Sequence, residues 1–254
     1  MSFISDIVDF AGGAIEWLGS NSVGAQLAKT AALGFIVNQT QENTQRPNNA
    51  VTPQAQDPIP NRGVRLQVTA NPENRIPVVY GQCHISGLMT DAEMVNNNQT
   101  LWLTYTICER TGTLLSTSAQ SVISFLNVYI NDQQVVFDTN GYTVLHTLDR
   151  NGTIDRSLSG LVDIYLYNNG STNGTNTATP AYDLMPSWSN QYTMNELVFA
   201  VIKLTYNPER GLQKIPEFRF HVSNTITLPG DAVYDYMTNT RYGAGIAPGE
   251  IYSG

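Results

Sequence analysis

Between residues 63 and 228 apolar and polar side chains alternate in short runs, separated by clusters of Asn, Asp, Gly and Pro. Successive side chains of an extended strand point to opposite faces, so a period of two commits this part of the chain to β structure. Val64-Arg65-Leu66-Gln67-Val68 alternates in this way. Ile76 to Gly81 reads as a short strand, with Pro77 at a strand start or on a sheet edge because proline has no amide for the ladder. Leu101 to Cys108 is the strongest run, apolar or aromatic on one parity and partly Thr on the other. Phe125 to Phe137 reads as a hairpin that turns at Asn131-Asp132, residue types that tolerate positive φ. Leu161 to Tyr167, Leu197 to Tyr206 and Phe218 to Val222 complete the strands; residues 168–180 read as a polar loop and 207–211 as a turn. The expected fold class is mainly β, antiparallel sheets in a sandwich-like body, with an N-terminal helical appendage and a short C-terminal helix.

The ends follow another period. Phe3, Ile4, Ile7, Val8, Ala11, Ala14, Ile15 and Leu18 recur at helical spacing, with Asp9, Gly13 and Glu16 opposite. Ser22 reads as the N-cap of a second helix reaching about Val37. Gly24, Ala28 and Ala32 recur there every fourth residue, a spacing that lets another helix backbone approach closely. That helix has three readings: an ordinary buried helix, an intersubunit or tube-lining helix, or a membrane-active one. At roughly 15 residues and ~1.5 Å each it falls short of the ~30 Å hydrocarbon core. Residues 39–62 are dominated by Asn, Gln, Thr and Pro, with Pro47, Pro53, Pro58 and Pro60, and read as an extended linker. The expected division is a helical arm over 1–38, a linker over 39–62 and a β-rich domain over 63–254. A tether of that length suggests that the arm docks on a neighbouring subunit.

Only 13% of residues are charged, 13 Lys+Arg against 21 Asp+Glu, for a net charge of −8. Asn and Thr fill the gap at roughly a fifth of the chain, where charged residues usually hold about a quarter. The acidic balance and the lack of any Lys/Arg run argue against nucleic-acid recognition. Cys83 and Cys108 are too few for a disulfide scaffold or a four-cysteine zinc site, and read as free thiols unless adjacent strands bring them together. Met1 to Asp9 has no basic n-region, so no signal peptide is expected. No apolar run reaches the ~20 residues of a stable membrane span.

Chemistry finds little footing. His84 adjoins Cys83, so in a strand the two face opposite ways and do not share a metal easily. His221 alternates with Phe220 and Val222 and reads as a solvent-side residue, and His146 as an ordinary core or surface histidine. Asp149 to Asp155 has oxygen ligands around a glycine but fails the EF-hand spacing, and reads as a polar turn at Asn151-Gly152. There is no P-loop, no G-x-S-x-G and no H-E-x-x-H. The expectation is a chain without enzyme activity, catalytic residues, metal or cofactor. Trp102, Tyr105, Trp188 and Tyr192 read as core or interface aromatics, with sugar stacking as the alternative.

Two segments carry a more particular signal. Leu228-Pro229-Gly230-Asp231-Ala232-Val233-Tyr234-Asp235-Tyr236-Met237-Thr238-Asn239-Thr240-Arg241-Tyr242-Gly243-Ala244-Gly245 reads as a turn, a short helix over 229–239 and a glycine-rich exit. Pro229 suits the first helical position, Asp231 the positive end of the helix dipole, and Val233, Tyr236 and Met237 give one apolar face. Gly243 and Gly245 fit an exit needing positive φ, and Arg241 suits an anchor to a carboxylate or to carbonyls. Asn74-Arg75-Ile76-Pro77-Val78-Val79-Tyr80-Gly81 precedes it in the chain. The two resemble, in order, the D-Y-[LM]-T-N-x-R-Y-G-x-G and N-x-I-P-V-x-Y-G segments of tail-tip and baseplate hub proteins of long-tailed bacteriophages. The resemblance implies a structural virion protein, the initial hub module of that family, acting by assembly with copies of itself and with other phage tail or baseplate proteins. It implies structural roles for Pro77, Tyr80, Gly81, Pro229, Asp231, Tyr236, Arg241, Tyr242, Gly243 and Gly245. Many members continue beyond the glycine-rich segment into fibre-bearing domains, so receptor binding is not carried over. The alternative from residue types alone is a carbohydrate-binding or glycan-degrading β module.

Overall fold

The computed structural model describes residues 75–115 and 119–251. The expected arm helices with Gly24, Ala28 and Ala32, the linker and the 64–68 strand lie outside the described residues. The described residues form ten strands and three short helices. In chain order these are β1 (Gln82–Ile85), β2 (Leu88–Val95), β3 (Thr100–Glu109), β4 (Ile123–Ile130), β5 (Gln133–Phe137), β6 (Val144–Leu148), β7 (Ile154–Asp155), β8 (Val162–Tyr167), α1 (Ala181–Leu184), β9 (Leu197–Thr205), β10 (Phe218–Asn224), α2 (Pro229–Thr238) and α3 (Pro248–Ile251). The strands make two antiparallel sheets, ordered β2-β3-β9-β8 and β1-β10-β4-β5-β6-β7. The mainly β class expected from the alternation is what the chain adopts.

The two sheets share one core. Leu103, Ile107, Ile164, Ala200 and Ile202 from the first meet Val128, Ile130, Val144, Phe220 and Val222 from the second. Tyr105 and Phe218 pack ring to ring across the gap, 5.6 Å between centroids. A second cluster lies on the other face of the four-stranded sheet. There Tyr165, Tyr167, Phe199 and Val201 are covered by Ala181 and Met185 from α1 and its flanks. The four-stranded sheet is therefore buried on both faces, which explains why β9 reads as a near-continuous apolar run and why Thr104 and Thr106 of β3 are buried too. The six-stranded sheet keeps one wet face, and β10 alternates strictly between buried and half-buried residues.

Turn chemistry fixes the pairings. Asn131 and Asp132 both take positive φ, 49° and 66°, in the β4–β5 hairpin, as expected from their residue types. Gly152 at φ 79° turns β6 into β7, where the polar turn was expected. Asn96, Asn97 and Asn98 all take positive φ and turn β2 into β3. The alternation did not reveal β2, because a register shift between Met89 and Asp91 breaks its parity. The expected strand over 76–81 is not one. Only Val78 makes a bridge, to Glu109, and Gly81 at φ 66° then turns the chain onto the end of β10. Cys83 and Cys108 are free thiols, Cys108 buried and its pKa pushed up by burial.

Candidate functional site

Helix α2 is packed inside out. In α2 the residues buried against the β body are Asp231 and Asp235, whereas Val233 and Tyr236 on the opposite side are 58% and 53% exposed. Spacing groups Val233 and Tyr236 with Met237 on one apolar face and does not say what that face meets. Asp231 and Asp235 are four apart and so share a helical face. What turns that face inward is a set of donors presented by the rest of the fold.

Asp235, 2% exposed, collects three of them. Tyr80 donates its hydroxyl to Oδ2 at 2.8 Å, Tyr242 donates to the same oxygen at 2.6 Å, and the Gly112 amide donates to Oδ1 at 2.8 Å. Hydrogen bonds to an ionised acceptor are roughly twice as strong as neutral ones. Tyr80 and Tyr242 both have pKa values raised by burial first and by the bond to Asp235 second. Gly112 comes so close that a Cβ there would lie 2.4 Å from Asp235 Oδ1.

A buried polar chain supports this corner from below. Asn224, at the end of β10, donates to the Val79 carbonyl and, at 2.8 Å, to Thr111 Oγ1. Its Oδ1 accepts the Ile226 amide at 2.9 Å. The hydroxyls of Thr111 and Ser121 meet at 2.6 Å. Gly81 is fixed on both sides, its amide donating to the Ile226 carbonyl at 2.8 Å and its carbonyl accepting the Asn224 amide at 2.7 Å. The carbonyl of Pro77 accepts the Glu109 amide at 2.8 Å. Tyr80 thus hangs from a backbone pinned at both ends.

Beyond α2 the chain folds back over the helix terminus, whose last carbonyls lack helical partners. Ala244 donates to the Tyr236 carbonyl at 2.9 Å, Gly245 to Asn239 at 3.1 Å and Ile246 to Met237 at 2.8 Å. Gly245 sits at φ 65°, as expected. Gly243 does not take positive φ; it is a glycine because a Cβ there would lie 1.9 Å from the Tyr236 carbonyl oxygen. Close approach, and not handedness, sets that residue. Arg241 places Nε 2.9 Å from Oε2 of Glu109, a carboxylate only 6% exposed, and donates Nη1 to the Asn195 carbonyl at 3.3 Å. Burial raises the Glu109 pKa and the Arg241 charge opposes that rise. Pro229 starts α2 with Leu228 as its N-cap, and Asp231 lies in the first turn.

Of the residues singled out in the sequence, Tyr80, Gly81, Tyr242 and Gly243 converge here, with Arg241, Pro77 and Gly245 bracing the edges. Tyr236 points away. Asp235, Glu109, Gly112 and Asn224 were not singled out. Asp235 lay inside the quoted segment, and its spacing from Asp231 was the one available signal. As chemistry the arrangement is closed: both Asp235 oxygens already accept, and the residue has almost no exposed surface for a substrate to reach.

Elsewhere, His84 and His221 stack at 4.2 Å on the outer face of the six-stranded sheet, and Tyr129 lies between His84 at 5.4 Å and Arg219 at 5.0 Å. Trp102 stacks on Tyr165, Trp188 stacks on Tyr192, and the Trp188 indole donates to Asp91 Oδ2 at 2.7 Å. Among the described residues no helix is long and apolar enough to cross a membrane. No family model matches the chain, and no curated protein sequence matches it closely enough to carry an argument.

Proposed function

We propose that the chain is a structural virion protein of a tailed bacteriophage, a tail-tip or baseplate hub or adaptor subunit that works by protein–protein assembly. One observation carries this reading. The two segments on which the resemblance rests are 155 residues apart between Tyr80 and Asp235, yet they meet on one buried carboxylate. Two chance matches have no reason to share a contact; two parts of one structural module do. The low charge and the Asn/Thr-rich surface suit a protein whose partners are other polar shell proteins and further copies of itself. In this reading the arm over 1–38 packs on another subunit, and the corner at Asp235 needs no cofactor.

Three of the four aromatics that would serve a glycan-binding module are engaged in packing, Tyr105 in the core, Trp102 on Tyr165 and Trp188 through its indole N–H, while Tyr192, stacked on Trp188, is 49% exposed. The assembly reading therefore takes precedence. Immunogold labelling of intact particles with an antibody to the chain tests it, the expected result being label at the tail tip. Label absent from particles, together with release of sugars from cell-wall glycan by the purified chain, would overturn it.

A further inference from the structure

The inverted helix leaves an apolar surface that the fold cannot withdraw. Leu228, Val233 and Tyr236 are each more than half exposed along α2 and its N-cap. Val122, nearly half exposed, is held by two hydrogen bonds beside Thr225, on the connection that leads into Leu228. Turning α2 to bury Val233 and Tyr236 would strip Asp235 of Tyr80, Tyr242 and the Gly112 amide. The outward face is thus fixed by the inward one. On folded proteins, clusters of exposed apolar side chains rimmed by polar residues mark interaction sites.

We infer that this face of α2 receives the leading segment, residues 1–38, of a neighbouring copy of the chain. The inference rests on the assembly reading above. The leading segment carries the complementary sequence feature, an apolar stripe from Phe3 to Leu18 at helical spacing. The connection argues for a neighbour over the same chain. Arg75 lies five residues before Tyr80, which already touches α2 from its inner side. A segment returning to its own α2 would need only a short link. The chain instead places about 35 residues between the stripe-bearing segment and Arg75, which reach roughly 110 Å or more when extended. A domain of this size is roughly 40 Å across. That reach suits bridging to the same face on an adjacent copy, and a long tether adds little entropic cost.

The test uses the full chain with the photo-crosslinking residue p-benzoylphenylalanine in place of Val233. Copies grown in normal and in nitrogen-15 medium are mixed, irradiated and analysed by peptide mass spectrometry. The expected product joins the α2 peptide of one label to a peptide from residues 1–38 of the other, in about half of all crosslinks for a randomly mixed pair. Val233→Glu and Tyr236→Glu, tested beside it, are expected to abolish self-association while leaving the melting temperature within about 2 °C, because exposed positions carry little stability. Same-label crosslinks only would place the segment on its own chain and overturn the inference. An oligomer that crosslinks elsewhere, or not at all, would overturn it while leaving the assembly reading standing. A chain that stays monomeric at every concentration and forms no crosslinks would overturn both.

Discussion

Replacing Asp235 with Asn changes one atom of the corner and asks whether the carboxylate holds it. Asn keeps an oxygen for the Gly112 amide but puts an NH2 group where Tyr80 and Tyr242 now donate, at 2.8 and 2.6 Å. Hydrogen bonds to a charged group contribute about 1.5–3 kcal/mol each. Both tyrosine bonds are partly buried, so each hydroxyl regains some water and the lower end applies. The expected loss is about 2–4 kcal/mol, or roughly 5–15 °C in melting temperature for a domain of this size. Urea unfolding followed by circular dichroism and tryptophan fluorescence measures it, with an unchanged m-value as the check that the fold persists. The discriminating step is a double-mutant cycle. Tyr80→Phe removes only the hydroxyl and should cost about 1–2 kcal/mol in the native background but under about 0.5 kcal/mol beside Asp235→Asn. If Asp235→Asn stays within about 0.5 kcal/mol of the native chain, or the two costs simply add, the carboxylate is not the pin and the account of the inverted helix fails.

The remaining predictions concern the neighbours of that carboxylate. Gly243→Ala forces a methyl against the Tyr236 carbonyl, 1.9 Å away on the present backbone, and should cost at least about 2–3 kcal/mol. Gly245→Ala meets nothing closer than 3.7 Å and should cost only about 1 kcal/mol for its positive φ; thermal melts rank the two. Arg241→Met leaves Glu109 buried without its partner. Because burial already raises the Glu109 pKa, its native form takes up a proton before the unfolded form does, so the penalty of the variant should be largest at neutral pH. It should shrink as pH falls through the raised value toward the ordinary carboxylate range. A penalty that grows on acidification would refute this. At the alkaline end, Tyr80, Tyr165, Tyr167 and Tyr242 all have raised pKa values, so the folded chain keeps protons that unfolded tyrosines lose near 10. Stability should fall as pH rises above about 10, and less steeply, by up to about 1.4 kcal/mol per pH unit for each hydroxyl removed, in the Tyr80→Phe and Tyr242→Phe variants.

The β body was legible because its signals are local. Asn131-Asp132 and Asn151-Gly152 announce their turns through residue type alone; β3 shows itself by the parity of its apolar residues, and β8 and β9 by their apolar and aromatic content. β2 was hidden by its register shift, which desynchronises the alternation that reveals strands. The orientation of α2 was not legible for a different reason. A helix with two carboxylates on one side and Val233 and Tyr236 on the other is ordinarily buried by its apolar side. The deciding donors are Tyr80, Tyr242 and the Gly112 amide, and two of these come from far along the chain. Gly243 shows the same limit on a smaller scale. The need for glycine was visible, but its cause, a carbonyl from the preceding helix, exists only once the exit folds back.

Assembly into a phage tail is the central claim, and a quantitative mass-spectrometric inventory of purified virions tests it most directly. The account predicts peptides of this chain in the particles at a fixed, small integer copy number, retained when tails are separated from heads. Particles that lack the chain, or that carry it in amounts varying with the preparation, would contradict it.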